Sequence, residues 1–99
     1  AAVRKRVGHM VKIEVEVDTL EQLAQLLDLP VDAVLLDNMT PAELAQAVAM
    51  VDGRLITEAS GNITVETVLP VAQSGVDLIS AGWITHSAPA LDIGLDVDP

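Results

Sequence analysis

The chain has no cysteine, no phenylalanine and no tyrosine, and Trp83 is its one aromatic residue. Lack of cysteine excludes disulfides, thiol catalysis and a cysteine-ligated zinc site. With a single aromatic, the core has to come from Val, Leu, Ile and Ala, the residues that fill α/β-barrel strands and helices. Trp83 is read as a packing residue, not a stacking platform. Basic residues are scarce: 5 Lys and Arg stand against 15 Asp and Glu, a net charge of −10. Four of the five (Arg4, Lys5, Arg6 and Lys12) fall in the first twelve positions. Such a balance offers no electrostatic footprint for nucleic acid or for an anionic membrane surface. No run approaches the roughly 20 apolar residues of a membrane-spanning helix, and no signal peptide is visible. A cytoplasmic location fits these features.

What the sequence does have is an apolar fraction of 51% arranged in a repeating order. In the stretch VDAVLLDNM, at 31–39, Ala33 to Leu36 is apolar without polar alternation. That pattern suits a strand covered on both faces, as in a parallel sheet. Asp37 ends the run, Asn38 follows, and Thr40-Pro41 opens a helix with Thr as N-cap and Pro in the first turn. A carboxylate at the C-terminal end of a parallel barrel strand is where such folds keep their chemistry; a plain solvated strand-end Asp is the alternative reading. Twenty-one positions separate Glu16 from Asp37 and Asp37 from Glu58, and another such step reaches Ile79, beside Ser80 and Gly82. The runs IEVE (13–16), AVLLD (33–37), RLITE (54–58) and VDLIS (76–80) each end near one of these landmarks, and helix-like segments follow the first three. A strand, a helix and two short loops take about twenty-odd residues, so the period marks a βα repeat. The expectation is an acid at each of three successive strand ends and a Ser and Gly at the fourth.

Along the chain, Ala1 to Val7 reads as the end of a helix stopped by Gly8, with Arg4, Lys5 and Arg6 near its C-terminus. His9 reads as a surface residue. Met10 to Val17 alternates, with Lys12, Glu14 and Glu16 on one face and Ile13, Val15 and Val17 on the other. In an open sheet the charged face is solvated; inside a barrel its charges have to be paired or functional. Asp18 or Thr19 caps a helix with Leu20, Leu23, Leu26 and Leu27 as its apolar face. A second helix spans Ala42 to Val51, and Asp52-Gly53 turns the chain into the third strand. Ala59-Ser60-Gly61-Asn62 then leads to a helix capped by Asn62 or Thr64 and running to about Gln73. A small-residue turn at a helix N-terminus presents N–H groups and a positive dipole end to phosphate, and Ser60 adds a hydroxyl. Ala81-Gly82-Trp83 follows the fourth strand, and glycine there lets a ligand approach the backbone. Two small-residue loops after consecutive strands match the usual phosphate site of α/β barrels. His86 follows the second of them, and 91–97, LDIGLDV, reads as a tail strand pairing outside the barrel segment.

The segments VEVDTLEQL, VLLDNM, EASGNIT and SAGWITHSAPALDIGLD, in that order, resemble the C-terminal part of the quinolinate phosphoribosyltransferase family, the carboxylating nicotinate-nucleotide pyrophosphorylases. The resemblance implies the α/β fold class: a partial (β/α) barrel of about four parallel strands with flanking helices, taken from an open TIM-like barrel. It implies transfer of a phosphoribosyl group from phosphoribosyl pyrophosphate to quinolinate with decarboxylation, giving nicotinate mononucleotide for NAD biosynthesis. Mg²⁺ accompanies the phosphoribosyl pyrophosphate, and members of the family work as homodimers or larger homo-oligomers. Carried onto this sequence, Glu16 and Asp37 are the acidic pair at the ribose hydroxyls and the metal region. Ser60, Gly61, Gly82 and His86 hold the 5′-phosphate, and Glu58 has a supporting role. The family's Arg, Lys and His groups for quinolinate and pyrophosphate lie upstream of this segment, and a chain of net charge −10 does not hold such anions by itself.

Size points the same way. A closed eight-stranded barrel takes about 250 residues, whereas these 99 hold three and a half βα units. An open piece leaves strand edges unpaired. The expectation is therefore that residues 1–99 are a single C-terminal fragment of a barrel domain, inactive alone, or a piece that associates with its own copies. Two other readings stay open. One is a half-barrel that self-associates and does no chemistry; the other is a phosphoribosyltransferase-like paralogue linked to molybdenum transport.

Overall fold

The computed structural model describes residues 2–7, 10–82 and 84–89. Its elements in chain order are β1 (Ala2–Val7), β2 (Met10–Val17), α1 (Leu20–Leu26), β3 (Ala33–Asp37), α2 (Pro41–Val51), β4 (Ile56–Ser60), α3 (Val65–Gln73), β5 (Leu78–Ala81) and β6 (Ile84–Ser87). The six strands form one sheet in the order β1-β2-β3-β4-β5-β6. Strands β2 to β5 are parallel, and β1 and β6 flank them antiparallel. Each parallel strand lies beside the one before it. Crossovers between parallel strands are right-handed, so steps in one direction put every helix on one side of the sheet. The core lies on that side: Val17, Val34, Leu36, Ala59 and Ile79 from the strands meet Leu23, Leu26, Leu44, Ala47, Val51, Val68 and Val71 from the helices.

The helices start where the sequence supplies caps. Thr19 Oγ1 accepts the Gln22 N–H at 3.1 Å. Thr40 and Glu43 form a reciprocal capping box, Glu43 N–H to Thr40 Oγ1 at 3.1 Å and Thr40 N–H to Glu43 Oε1 at 2.9 Å, with Pro41 in the first turn. Helix α2 ends on Asp52 in the left-handed conformation. Its last carbonyls, those of Met50 and Val51, accept from the Arg54 guanidinium at 2.9 and 3.1 Å. A cation there suits the negative end of the helix dipole.

At the opposite end of the sheet from the Asp37 terminus, two aspartates fasten neighbouring strands. Asp32 Oδ2 accepts the Ile13 N–H at 2.9 Å. Asp77 Oδ2 accepts both the Thr57 N–H, at 2.8 Å, and the Thr57 hydroxyl, at 3.1 Å. Thr57 is only 2% exposed. Removing the carboxylate strands a buried donor pair, and a lost charged hydrogen-bond partner costs about 1.5–3 kcal/mol. Asp77→Ala is expected to lower the urea midpoint by that amount of stability. In a Thr57→Val background, which removes the hydroxyl, the loss is expected to be smaller.

Three expectations need correction, and one is the fourth run, which begins as β5 at Leu78 and not at 76. The segment read as a helix end is, over Ala2–Val7, strand β1, paired with β2 from Ala2↔Val15 to Val7↔Met10. Placing basic residues at an exposed helix C-terminus contributes typically about 0.3–1 kcal/mol, and so short a helix is unstable alone; strand pairing also covers an edge of β2. The third run also shifts, from 54–58 to Ile56–Ser60, because Arg54 is held back by the end of α2. The tail run 91–97 lies outside the described residues.

Candidate active site

Strand register decides which side chains share a face. Glu16 pairs with Leu35, and Leu35 with Glu58. Asp37, two residues beyond Leu35, pairs with Ser60, and Ser60 with Ser80. Val34 and Leu36 point into the helix-side core, so alternation sends Leu35 and Asp37, with all their partners, to the helix-free face. Two rows result: Asp37–Ser60–Ser80 at the rim and Glu16–Leu35–Glu58–Leu78 one step below. The 21-residue spacing suggested three acids at one height, but Glu58 lies two residues inside the end of β4 and Asp37 stands a row above the other two. Strand spacing of about 4.8 Å and a rise of about 3.3 Å per residue put the Cα of Asp37 roughly 8 Å from those of both Glu16 and Glu58. Glu16 is exposed, Asp37 half-buried, and Glu58 only 8% exposed and engaged by its surroundings. Glu14, on the same face one row lower, is 6% exposed.

The rim is built from two interlocked turns. After Asp37 the backbone turns left-handed at Asn38, φ 58°, a conformation that asparagine tolerates. The Asn38 N–H donates to the Ser60 carbonyl at 3.0 Å. Its side-chain Oδ1 accepts the Asn62 N–H at 3.1 Å, and the Ser60 hydroxyl donates to Asp37 Oδ1 at 3.3 Å. Gly61, φ 106°, lies against Asn38 so closely that a Cβ on it would fall 2.8 Å from the Asn38 nitrogen. Between the two turns lies a cleft of about 260 Å³, with Thr40, Ser60, Asn62 and Thr67 among its polar lining and Met39, Ile63 and Val71 among its apolar lining. A smaller cleft of about 160 Å³ lies beside Glu16, against Asp18 and Gln22.

Thus Glu16, Asp37, Glu58 and Ser60 stand together on one face, with Gly61 in the adjoining turn. Gly82 sits in the turn from β5 to β6, with nothing within 4 Å of where its Cβ would be. His86 is exposed on β6, level with Ile79, one register step below the Ser80–Thr85 pair. Since Ile79 belongs to the core, that register sets His86 apart from the acidic face. Asn38 had no role in the sequence reading. An Asp-Asn pair between an apolar run and a helix cap carries the signal for a left-handed kink, but not for its hydrogen-bond partner 24 residues on. Among the described residues no group of three or more His, Asp or Glu is gathered to hold a metal ion. No helix among them is long and apolar enough to cross a membrane.

The family described as quinolinate phosphoribosyl transferase, C-terminal domain, matches residues 1–96. The chain is 40% identical over 94 residues to the probable carboxylating nicotinate-nucleotide pyrophosphorylase of Bacillus subtilis, covering 95% of this chain and 32% of that protein. To the chloroplastic nicotinate-nucleotide pyrophosphorylase of Arabidopsis thaliana it is 44% identical over 101 aligned positions, covering 87% of this chain and 29% of that one. The fold is similar to the crystal structure of nicotinate-nucleotide pyrophosphorylase from Ehrlichia chaffeensis, with a TM-score of 0.70 and 37% identity over 76% of this chain and 27% of that one. The Francisella tularensis enzyme gives 0.67 and 40%, over 75% and 27%. The chain thus spans about a third of the length of the curated relatives it matches. It belongs to the family described as quinolinate phosphoribosyl transferase, C-terminal domain.

Proposed function

We propose that this domain carries the ribose- and phosphate-reading half of a site that transfers a phosphoribosyl group from phosphoribosyl pyrophosphate to quinolinate. The products are nicotinate mononucleotide, pyrophosphate and carbon dioxide. The observation that carries this reading is the shared helix-free face of Glu16, Asp37 and Ser60 at the C-terminal end of parallel strands, where α/β barrels hold their substrates. In the intact domain that face lines the inside of an open barrel. As the bond from the anomeric carbon to pyrophosphate breaks, positive charge develops on the ribose ring. Fixed carboxylates beside the ring stabilise that charge without reorganising. Asp37 and Glu16 also accept hydrogen bonds from the ribose hydroxyls. Ser60, Gly61 and Gly82 receive the 5′-phosphate, Glu58 supports the acidic pair from the row below, and His86, which the register turns to the Ile79 side of the sheet, takes no part in it.

Mg²⁺ enters with the phosphoribosyl pyrophosphate. A hard cation that keeps several waters needs only one or two protein carboxylates besides substrate phosphates, and Glu16 and Asp37 suit that need without a dedicated cage. The cations that hold quinolinate and pyrophosphate come from polypeptide beyond these 99 residues, for which the relatives' greater length leaves room. The 99 residues alone are accordingly expected to be inactive. The protein works as a homodimer or larger homo-oligomer, in the cytoplasm.

Gly82→Ala separates a ligand's approach from a structural need. The added methyl meets nothing within 4 Å, so stability should stay within about 0.5 kcal/mol. The KM for phosphoribosyl pyrophosphate in the full-length protein should rise several-fold, about 3–10-fold. The reading as a whole is tested by release of labelled carbon dioxide from carboxyl-labelled quinolinate. Release that depends on phosphoribosyl pyrophosphate supports it; none from the folded full-length protein contradicts it.

A further inference from the structure

Asn38 is placed to connect the two halves of the rim. Its main chain is bonded to Ser60 and its side chain to Asn62. Its chain neighbour Asp37 takes the Ser60 hydroxyl. The turn that carries Ser60 and Gly61 is therefore fastened to the turn that carries Asp37 by three hydrogen bonds, two of them made by Asn38. The left-handed φ of 58° at Asn38 aims its amide across the gap between β3 and β4, and Gly61 leaves the space that this amide occupies.

Resting on the function proposed above, we infer that Asn38 is a positioning residue: it locks the phosphate turn to the ribose carboxylate so that the 5′-phosphate and the ribose of phosphoribosyl pyrophosphate are met at a fixed separation. Substrate that binds at one turn then finds the other already in place. Without the Asn38 amide, the Ser60–Gly61–Asn62 turn keeps its strand, its helix and the Ser60 hydroxyl bond to Asp37, but loses the one bond that holds its far side, at Asn62. Ordering of that turn is then left to substrate binding, and the cost appears in affinity.

Two variants of the full-length protein test this. Glycine adopts φ 58° freely, so Asn38→Gly keeps the backbone and removes only the amide. Asn38→Asp keeps an acceptor at Oδ1. Exchange of the Asn62 amide proton should quicken by about tenfold or more in Asn38→Gly and stay near that of the parent in Asn38→Asp. In Asn38→Gly the KM for phosphoribosyl pyrophosphate should rise about tenfold, with the KM for quinolinate within about twofold of the parent. Unchanged Asn62 exchange in Asn38→Gly would overturn the proposal. So would quicker exchange with an unchanged KM for phosphoribosyl pyrophosphate, or both KM values rising together with a general loss of stability. Asp37→Ala keeps the two outcomes apart. If Asp37→Ala cripples turnover while Asn38→Gly is silent, the lock alone is wrong; if Asp37→Ala is itself silent, the functional reading fails.

Discussion

Asp37→Ala in the full-length protein is expected to lower kcat by about 10²–10³-fold, the loss typical of one preorganised electrostatic group. The fold should survive, because Asp37 is half-buried at a strand end and contributes nothing to the helix-side core. Asp37→Asn distinguishes charge from position. It keeps an oxygen for the Ser60 hydroxyl, now 3.3 Å from Asp37 Oδ1, but has no negative charge to set against a cationic ribose. A loss close to that of Asp37→Ala assigns the effect to charge; near-normal turnover in Asp37→Asn assigns it to the hydrogen bond. Steady-state kinetics with phosphoribosyl pyrophosphate and quinolinate reads both. Normal turnover in Asp37→Ala would remove Asp37 from the chemistry.

The second large effect is on stability and belongs to Gly61. Two penalties meet there. A φ of 106° is a region that residues with a Cβ rarely adopt, at a cost of order 1–3 kcal/mol. A methyl on Gly61 would also press on the Asn38 backbone nitrogen at 2.8 Å, and a backbone held at both ends cannot swing away. Gly53 supplies the control. Its φ of 77° is also positive, but nothing lies within 4 Å of its added Cβ. Gly53→Ala should therefore cost about 1 kcal/mol, backbone strain alone. Gly61→Ala should cost about 2–4 kcal/mol, strain plus the displacement of the neighbouring turn. Urea denaturation of the two variants side by side reads the difference. Equal losses would mean that the turns are not in close contact.

Much of this was legible in the sequence because its signals are local. The apolar run at 33–37 is β3 to the residue, and Thr40 with Pro41 and Glu43 caps α2 as a reader of cap chemistry expects. The helix at 65–73 starts on Thr64, one of its two candidate caps. The period combined with strand ends points to Glu16, Asp37 and Glu58, which the register puts on one face; only the family resemblance singles out Glu16 and Asp37 as a pair. Non-local information was out of reach. Strand β1 exists because β2 offers it an edge, and nothing within Ala2–Val7 states that. The heights of the acids follow from register, which depends on Arg54 closing α2 and delaying β4 to Ile56. Asn38 and Gly61 acquire their meaning only when two turns 23 residues apart in sequence are laid side by side. The bland acids were equally hidden: Asp32 and Asp77 read no differently from Glu16 until each is seen fastening a neighbouring strand.

The helix-free face is the point on which the account turns. Beyond the acids it presents Ile56 and Leu78, 43% and 36% exposed, beneath the polar rim. A surface of this kind, apolar side chains interleaved with carboxylates beneath a polar rim, suits the inside of a barrel lined by strand side chains. The most direct measurement is a crystal structure of the full-length protein with phosphoribosyl pyrophosphate and Mg²⁺ bound. The account predicts the ribose hydroxyls within hydrogen-bond reach of the Asp37 and Glu16 carboxylates, and the 5′-phosphate at the Ser60–Gly61 turn. A ribose seated on the helix side of the sheet, or the two carboxylates turned to separate surfaces with the ligand touching neither, would contradict it.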